Sequence, residues 1–113
     1  MRRILFSGLV LILLGCRLSL KEEAWHTPAS SGDTLKLTQL LDSGLDVNAT
    51  DENGDTPLFF ALSNGHISTA DYLVSRGALI THVNRTGQMI SEKAIKVNTS
   101  KEVVDWVARQ SKK

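Results

Sequence analysis

Few side chains in this 113-residue chain stand where they could do chemistry. Its single cysteine, Cys16, closes an apolar stretch near the N-terminus. A lone thiol excludes both an internal disulfide framework and a cysteine-based zinc site. The three histidines, His26, His66 and His82, are far apart, and none pairs with another at the i, i+3 or i+4 spacing that metal binding on a helix uses. Asp51, Glu52 and Asp55 form a carboxylate cluster, but the surrounding stretch is polar and offers no apolar pocket to shift a pKa. They are expected to be solvated. No serine lies in a G-x-S-x-G elbow, and Gly54 and Gly65 read as turn and cap glycines, not as a phosphate loop. No catalytic residue, metal or cofactor is expected.

Composition narrows the class further. Hydrophobic residues make up 42%, charged residues 22% and aromatic residues 5%, with a formal charge of +1. That suits one globular domain; it is too apolar for a disordered tail and too neutral for a dedicated nucleic-acid binder.

Met1-Arg2-Arg3 precedes an uncharged run of eleven residues, Ile4 to Leu14. A spanning helix needs about 20 apolar residues, so the run is too short to cross a bilayer and fits the h-region of a signal peptide. It ends in Leu13-Leu14-Gly15-Cys16, which resembles a bacterial lipoprotein signal, with Leu14 departing from that pattern's usual residues. The resemblance implies removal of residues 1–15, a diacylglyceryl group on Cys16, and Cys16 as the new N-terminus. Arg17 replaces the Asp that often retains such proteins in the inner membrane, which favours the periplasmic face of an outer membrane. A plain secretory peptide and an uncleaved anchor are the alternatives. Acyl chains on one residue would suffice for stable anchoring. Residues 16–26 then read as a lipidated cysteine and short polar tether.

The elements beyond the tether follow a period. A shift of thirty-three residues aligns Gly32 with Gly65, Gly44 with Gly77, Gly54 with Gly87 and Ala61 with Ala94. Such a period marks a solenoid. Gly54-Asp55-Thr56-Pro57-Leu58, Ala61, Gly65-His66, Leu73-Val74 and Gly77-Ala78 closely resemble the ankyrin repeat, and Gly44-Leu45-Asp46-Val47-Asn48-Ala49 supplies its hairpin end. The resemblance implies an all-α repeat solenoid of about 2.5–3 repeats, with antiparallel helix pairs joined by hairpin fingers. The copies are 27–50 (degenerate), 51–83 (full) and 84–113 (degenerate, capping). Phe59 stands where the family has His, and Met89-Ile90-Ser91 replaces Thr-Pro-Leu.

The residues reach the same layout independently. Thr56 as a cap and Pro57 in the first turn predict a helix to Asn64, stopped by Gly65. A second helix over 66–75 places Ile67, Ala70, Leu73 and Val74 on one face and ends at Gly77. Leu37, Leu40 and Leu41 form the equivalent face before it, and Val103, Val104, Trp106 and Val107 the one after. Pro28 is expected near the first position of a shortened opening helix. Asn48–Asp55 and Thr81–Thr86 are the fingers. Trp25 and Trp106 are expected to close the two ends, and His66 to bond locally at a helix start.

Charge is divided along the chain. Residues 17–75 hold three basic and nine acidic groups, and residues 76–113 hold eight basic and three acidic. Two readings stand: neighbouring fingers attract one another, or the two halves form a bipolar docking surface. Lys112-Lys113 forms a solvated tail that could also meet anionic lipid. The function expected is a non-catalytic protein-binding module tethered in the bacterial cell envelope, with an unidentified protein partner and no nucleic acid. An immunity or protective factor that binds a toxin or supports a periplasmic enzyme is the competing class. The resemblance carries partner binding onto Glu52, Asn53, Asp55, Ser63 and Asn64 of the middle copy, and onto Arg85, Thr86, Gln88, Lys96 and Val97 of the last.

Overall fold

A computed structural model describes residues 24–112. The expected signal peptide, Cys16 and the tether up to residue 23 lie outside the described residues. Six helices follow in three pairs: α1 over 24–31, α2 (Thr34–Asp42), α3 (Pro57–Ser63), α4 (Ile67–Ser75), α5 (Ile90–Val97) and α6 (Lys101–Ser111). Among the described residues the one extended pairing is an isolated antiparallel bridge between Val83 and Met89, at the base of the second finger.

The helices begin and end where local chemistry directs. Pro57 occupies the first turn of α3, where a missing N–H costs nothing. Asp33 caps α2 by accepting from the Lys36 amide at 3.1 Å. Gly77 sits at φ +98° after α4 and sends its N–H to the Val74 carbonyl, the left-handed stop its position predicted.

Apolar spacing then closes the stack. Leu58, Ala61 and Leu62 of α3, Ala70 and Leu73 of α4, Ile90 and Ala94 of α5, and Val103 of α6 are all fully buried. Helix α3 is central, packing against α4 of its own copy and α5 of the next. Trp25 and Trp106 close the core at its two ends, at 0% and 1% exposure.

Four expectations are corrected, and one buried residue is added. The tether does not reach residue 26: the backbone is already helical at 24, and burying Trp25 is what draws that segment into the domain. Pro28 does not start its helix but follows at least one turn of it, where its ring is buried. Thr56 takes the capping position without a capping bond, because its hydroxyl is turned into the core. Val104 is exposed, since Val103, Trp106 and Val107 already fill the buried face of α6. Thr69, which an apolar pattern passes over, is buried because its hydroxyl meets the Thr34 hydroxyl at 3.0 Å and the Gly32 carbonyl at 3.3 Å.

Gly54 has a further constraint beyond its φ of +79°. A Cβ there would lie 2.8 Å from the Arg85 backbone nitrogen, which donates to the Asn53 carbonyl at 3.0 Å. Gly54→Ala is therefore expected to cost about 1–3 kcal/mol through strain and a disturbed inter-finger bond. A thermal midpoint equal to that of the unaltered chain would contradict this.

Candidate protein-interaction surface

The two fingers are built by one device used twice. The Asp51 carboxylate accepts from the amides of Asn53 and Asp55, both at 2.9 Å. Thirty-three residues later, the Asn84 side-chain oxygen accepts from the amides of Thr86 and Gln88, both at 3.0 Å. Each finger also closes on itself, Asp51 to Asp55 and Asn84 to Gln88, through backbone bonds of 3.0 and 2.9 Å. A short polar side chain two and four residues upstream thus replaces a strand ladder.

Side chains then stitch the copies together. His66 Nε2 meets the Ser30 carbonyl at 2.9 Å, and Asn98 Nδ2 donates to the Ser63 carbonyl, the equivalent position one copy on, at 3.2 Å. His82 Nε2 meets the Gly54 carbonyl at 3.2 Å. His66 therefore works structurally, reaching back to the preceding copy instead of bonding only within its own turn. Among the described residues no group of three His, Cys, Asp or Glu side chains is placed to hold a metal ion.

Asp55 does not belong to the solvated cluster expected for it. It is 1% exposed, bonded by Lys93 Nζ at 2.6 Å and by Asn84 Nδ2 at 3.2 Å. It is consequently withdrawn from the set of partner-binding residues. Lys93, the residue that sequence reasoning missed, also holds its ammonium 4.7 Å from the centre of the Phe59 ring. Phe59 is itself buried. The signal available was a lone cation one turn into a helix, thirty-eight residues beyond an aspartate; spacing of that kind is not diagnostic.

The other expected site residues divide by what holds them. Glu52, Asn53, Asn64, Arg85, Thr86, Lys96 and Val97 are exposed, whereas Ser63 and Gln88 are half-buried. Asn64 Nδ2 and the Ser63 hydroxyl both donate to the Phe60 carbonyl, at 2.8 and 3.2 Å, so each is partly spent on the end of α3. The Thr86 hydroxyl donates to Asn84 at 2.7 Å. Phe60 of α3 is half-buried and packs toward α1, with the His26 ring 4.0 Å from its own and Trp25 at 5.7 Å. Phe60 was not among the expected site residues, because a second phenylalanine beside Phe59 reads as core.

Charge segregation acquires a physical cause. Within residues 24–75, Asp33, Asp46 and Asp51 accept backbone amides. Asp42 pairs with Arg76 at 3.1 Å, Asp55 with Lys93, and Asp71 accepts the Trp106 indole N–H at 2.6 Å. The bond to Asp42 is the main reason the Arg76 guanidinium is pushed above its usual range. Glu52 is the exception on the acidic side, with no side-chain bond among the described residues. Most of the acidic half thus serves the stack. Where one reading set Asp51, Glu52 and Asp55 against His82 and Arg85 of the next finger, the link is carried by Lys93 on Asp55, by the Arg85 backbone, and by His82 on the Gly54 carbonyl. Arg85 on the second finger and Lys96 near the end of α5 keep their charges free of ion pairs among the described residues, and Val97, which follows Lys96, is 60% exposed.

Residues 26–74 match the family model for ankyrin repeats (many copies). An ankyrin repeat-containing protein of Schizosaccharomyces pombe is 43% identical over 60 residues, covering 53% of this chain and 29% of that protein. Acyl-CoA-binding domain-containing protein 1 of Arabidopsis thaliana is 39% identical over 59 residues, 52% of this chain and 18% of that one. This chain therefore spans less than a third of the length of either relative. Among solved structures, the human ASB11 ankyrin repeat domain superposes with a TM-score of 0.63 at 27% identity, covering 75% of this chain and 38% of that one.

Proposed function

We propose that this chain, an ankyrin repeat fold across its described residues, is a non-catalytic protein-binding module held at the bacterial cell envelope by lipid on Cys16. The fold is an interaction scaffold, and the shared segment is the repeat region alone, so the activities of the longer relatives do not come with it.

One observation carries the binding reading. The acids of the first two copies are engaged within the domain, whereas Glu52 at one finger tip, Arg85 on the next finger, and Lys96 beside Val97 at the C-terminal end of α5 form no ion pair among the described residues. Unspent charge next to exposed apolar surface steers and then holds a partner. The working set is Glu52, Asn53, Arg85, Thr86, Lys96 and Val97. The anchoring part rests on the eleven-residue apolar run ending at Gly15-Cys16. Among the described residues no helix is long and apolar enough to cross a membrane. Attachment through Cys16 at an outer membrane, facing the periplasm, fits the arginine that follows it.

A single experiment addresses both parts. Tagged full-length protein is recovered from detergent-solubilised envelopes beside an Arg85→Glu, Lys96→Glu variant. The unaltered protein is expected to bring down a partner that the variant loses, with both keeping the same helical signal. The deficit should shrink with salt as screening shortens to below about 8 Å. Intact mass should begin at Cys16 and carry acyl groups. Equal capture by both proteins refutes the surface, and an unmodified Cys16 or retained residues 1–15 refutes the anchor.

A further inference from the structure

Helix α6 carries a charge pattern that the domain itself does not use. Glu102, Asp105 and Arg109 of this helix and Lys112, its C-cap in helical conformation, recur at spacings of three, four and three, which places them on one face. All four are exposed, and with Ala108 and the half-buried Ile67 of α4 they line an open groove along the helix. None of the four forms an ion pair among the described residues, although Asp105 and Arg109 are one helical turn apart. Elsewhere in the stack the cations Arg76 and Lys93 are taken up by acids of the preceding copy.

The order of signs along this face is what selects an occupant. Glu102 and Lys112 stand five residues either side of Val107, and Asp105 and Arg109 stand two residues either side of it. A second α6 laid antiparallel on the first therefore sets Glu102 against Lys112 and Asp105 against Arg109, and by two-fold symmetry each pairing occurs twice. A parallel arrangement would set like charges opposite one another. Ala108, close to the axis, is small enough for two helices to approach at the usual 8–10 Å. We propose that this groove is a self-association face, whose occupant is α6 of a second copy of this chain in a two-fold, antiparallel pairing.

The contact spans one face of an eleven-residue helix, roughly 16 Å long, and is smaller than a standard interface. The dimer is accordingly weak and salt-sensitive, its specificity set by charge order instead of apolar area. None of its residues belongs to the partner-binding set on the fingers and inner helices, so both surfaces can be occupied at once. Acids early and bases late in α6 also suit that helix's own macrodipole. A test must separate the two uses of the same charges.

Charge reversal in two complementary variants does so. Sedimentation equilibrium of the full chain in density-matched detergent is expected to show unaltered protein in monomer–dimer equilibrium at low salt. Glu102→Lys with Asp105→Lys makes the stripe wholly basic, and Arg109→Glu with Lys112→Glu makes it wholly acidic. Each variant alone is expected to dimerise at least about tenfold more weakly, by like-charge repulsion. Mixed one to one, they should form a heterodimer as tight as the unaltered homodimer or tighter. A purely intrahelical role predicts no such recovery, since neither variant's own helix is altered by mixing. Far-UV circular dichroism on each variant checks that α6 persists. The proposal is overturned if the unaltered chain stays monomeric to about 1 mM. It is equally overturned if the variants associate as the unaltered chain does, or if mixing yields no heterodimer.

Discussion

Ending the chain at Gly87 is expected to abolish cooperative unfolding of what remains. The cut removes α5 and α6, and with them the burial of Ile90, Ala94, Val103, Trp106 and Val107. It also strips cover from α3 and α4, which pack against the lost pair. Burying each large apolar side chain contributes about 1.5–3 kcal/mol, whereas a whole domain is stable by only about 5–15 kcal/mol. The polar stitching goes too: Trp106 to Asp71, Asn98 to Ser63 and Lys93 to Asp55. A solenoid is held by interfaces between neighbours, and here only one would survive. Thermal melts followed by circular dichroism should show a weak, non-cooperative signal. A sharp transition at the midpoint of the intact chain would refute the role assigned to the last copy.

Lys93→Met is expected to be the most damaging single change to a charged side chain in this domain. It leaves the Asp55 carboxylate buried, with Asn84 Nδ2 as its remaining side-chain donor. Removing one partner of a buried pair costs 3–5 kcal/mol in general; Lys93 keeps about a quarter of its side chain in water, so the low end, about 3 kcal/mol, applies. For a domain of this size that lowers the melting temperature by about 10 °C or more. Asp55→Asn is expected to be milder, because Lys93 can swing its ammonium out to solvent. Combining it with Lys93→Met should recover much of the loss, since no uncompensated charge then remains. A double-mutant cycle on thermal midpoints reads this coupling directly. Additive losses would show that the pair does not act as a unit. The Asp42–Arg76 pair, with side chains 64% and 36% exposed, is the internal comparison, and Arg76→Ala should change stability little.

The helices were legible because their signals are local. Pro57 in the first turn, Gly65 and Gly77 at the stops, and apolar residues at spacings of three and four act within a turn or two of themselves. The period of thirty-three added the copy number and the order of stacking. Boundaries were less legible at the N-terminus, where nothing local marks Trp25 as the start of a domain. Trp25 packs on Phe60 of α3, thirty-five residues later.

Side-chain partners across copies were not legible at all. Asp51 and Asp55 are four residues apart and of one type, yet one organises a finger through backbone amides and the other is buried on Lys93. The same holds for Thr69 and Phe60, whose surroundings come from the preceding copy. By itself the sequence determined the repeat, the helix stops at Gly65 and Gly77, and most of the apolar faces, since each follows from propensity and periodicity along one stretch of chain. Only the tertiary structure decided which charges are consumed by the stack and which are free to meet a partner. That choice turns on distances of a few ångströms between residues 28–38 positions apart, which no local pattern encodes.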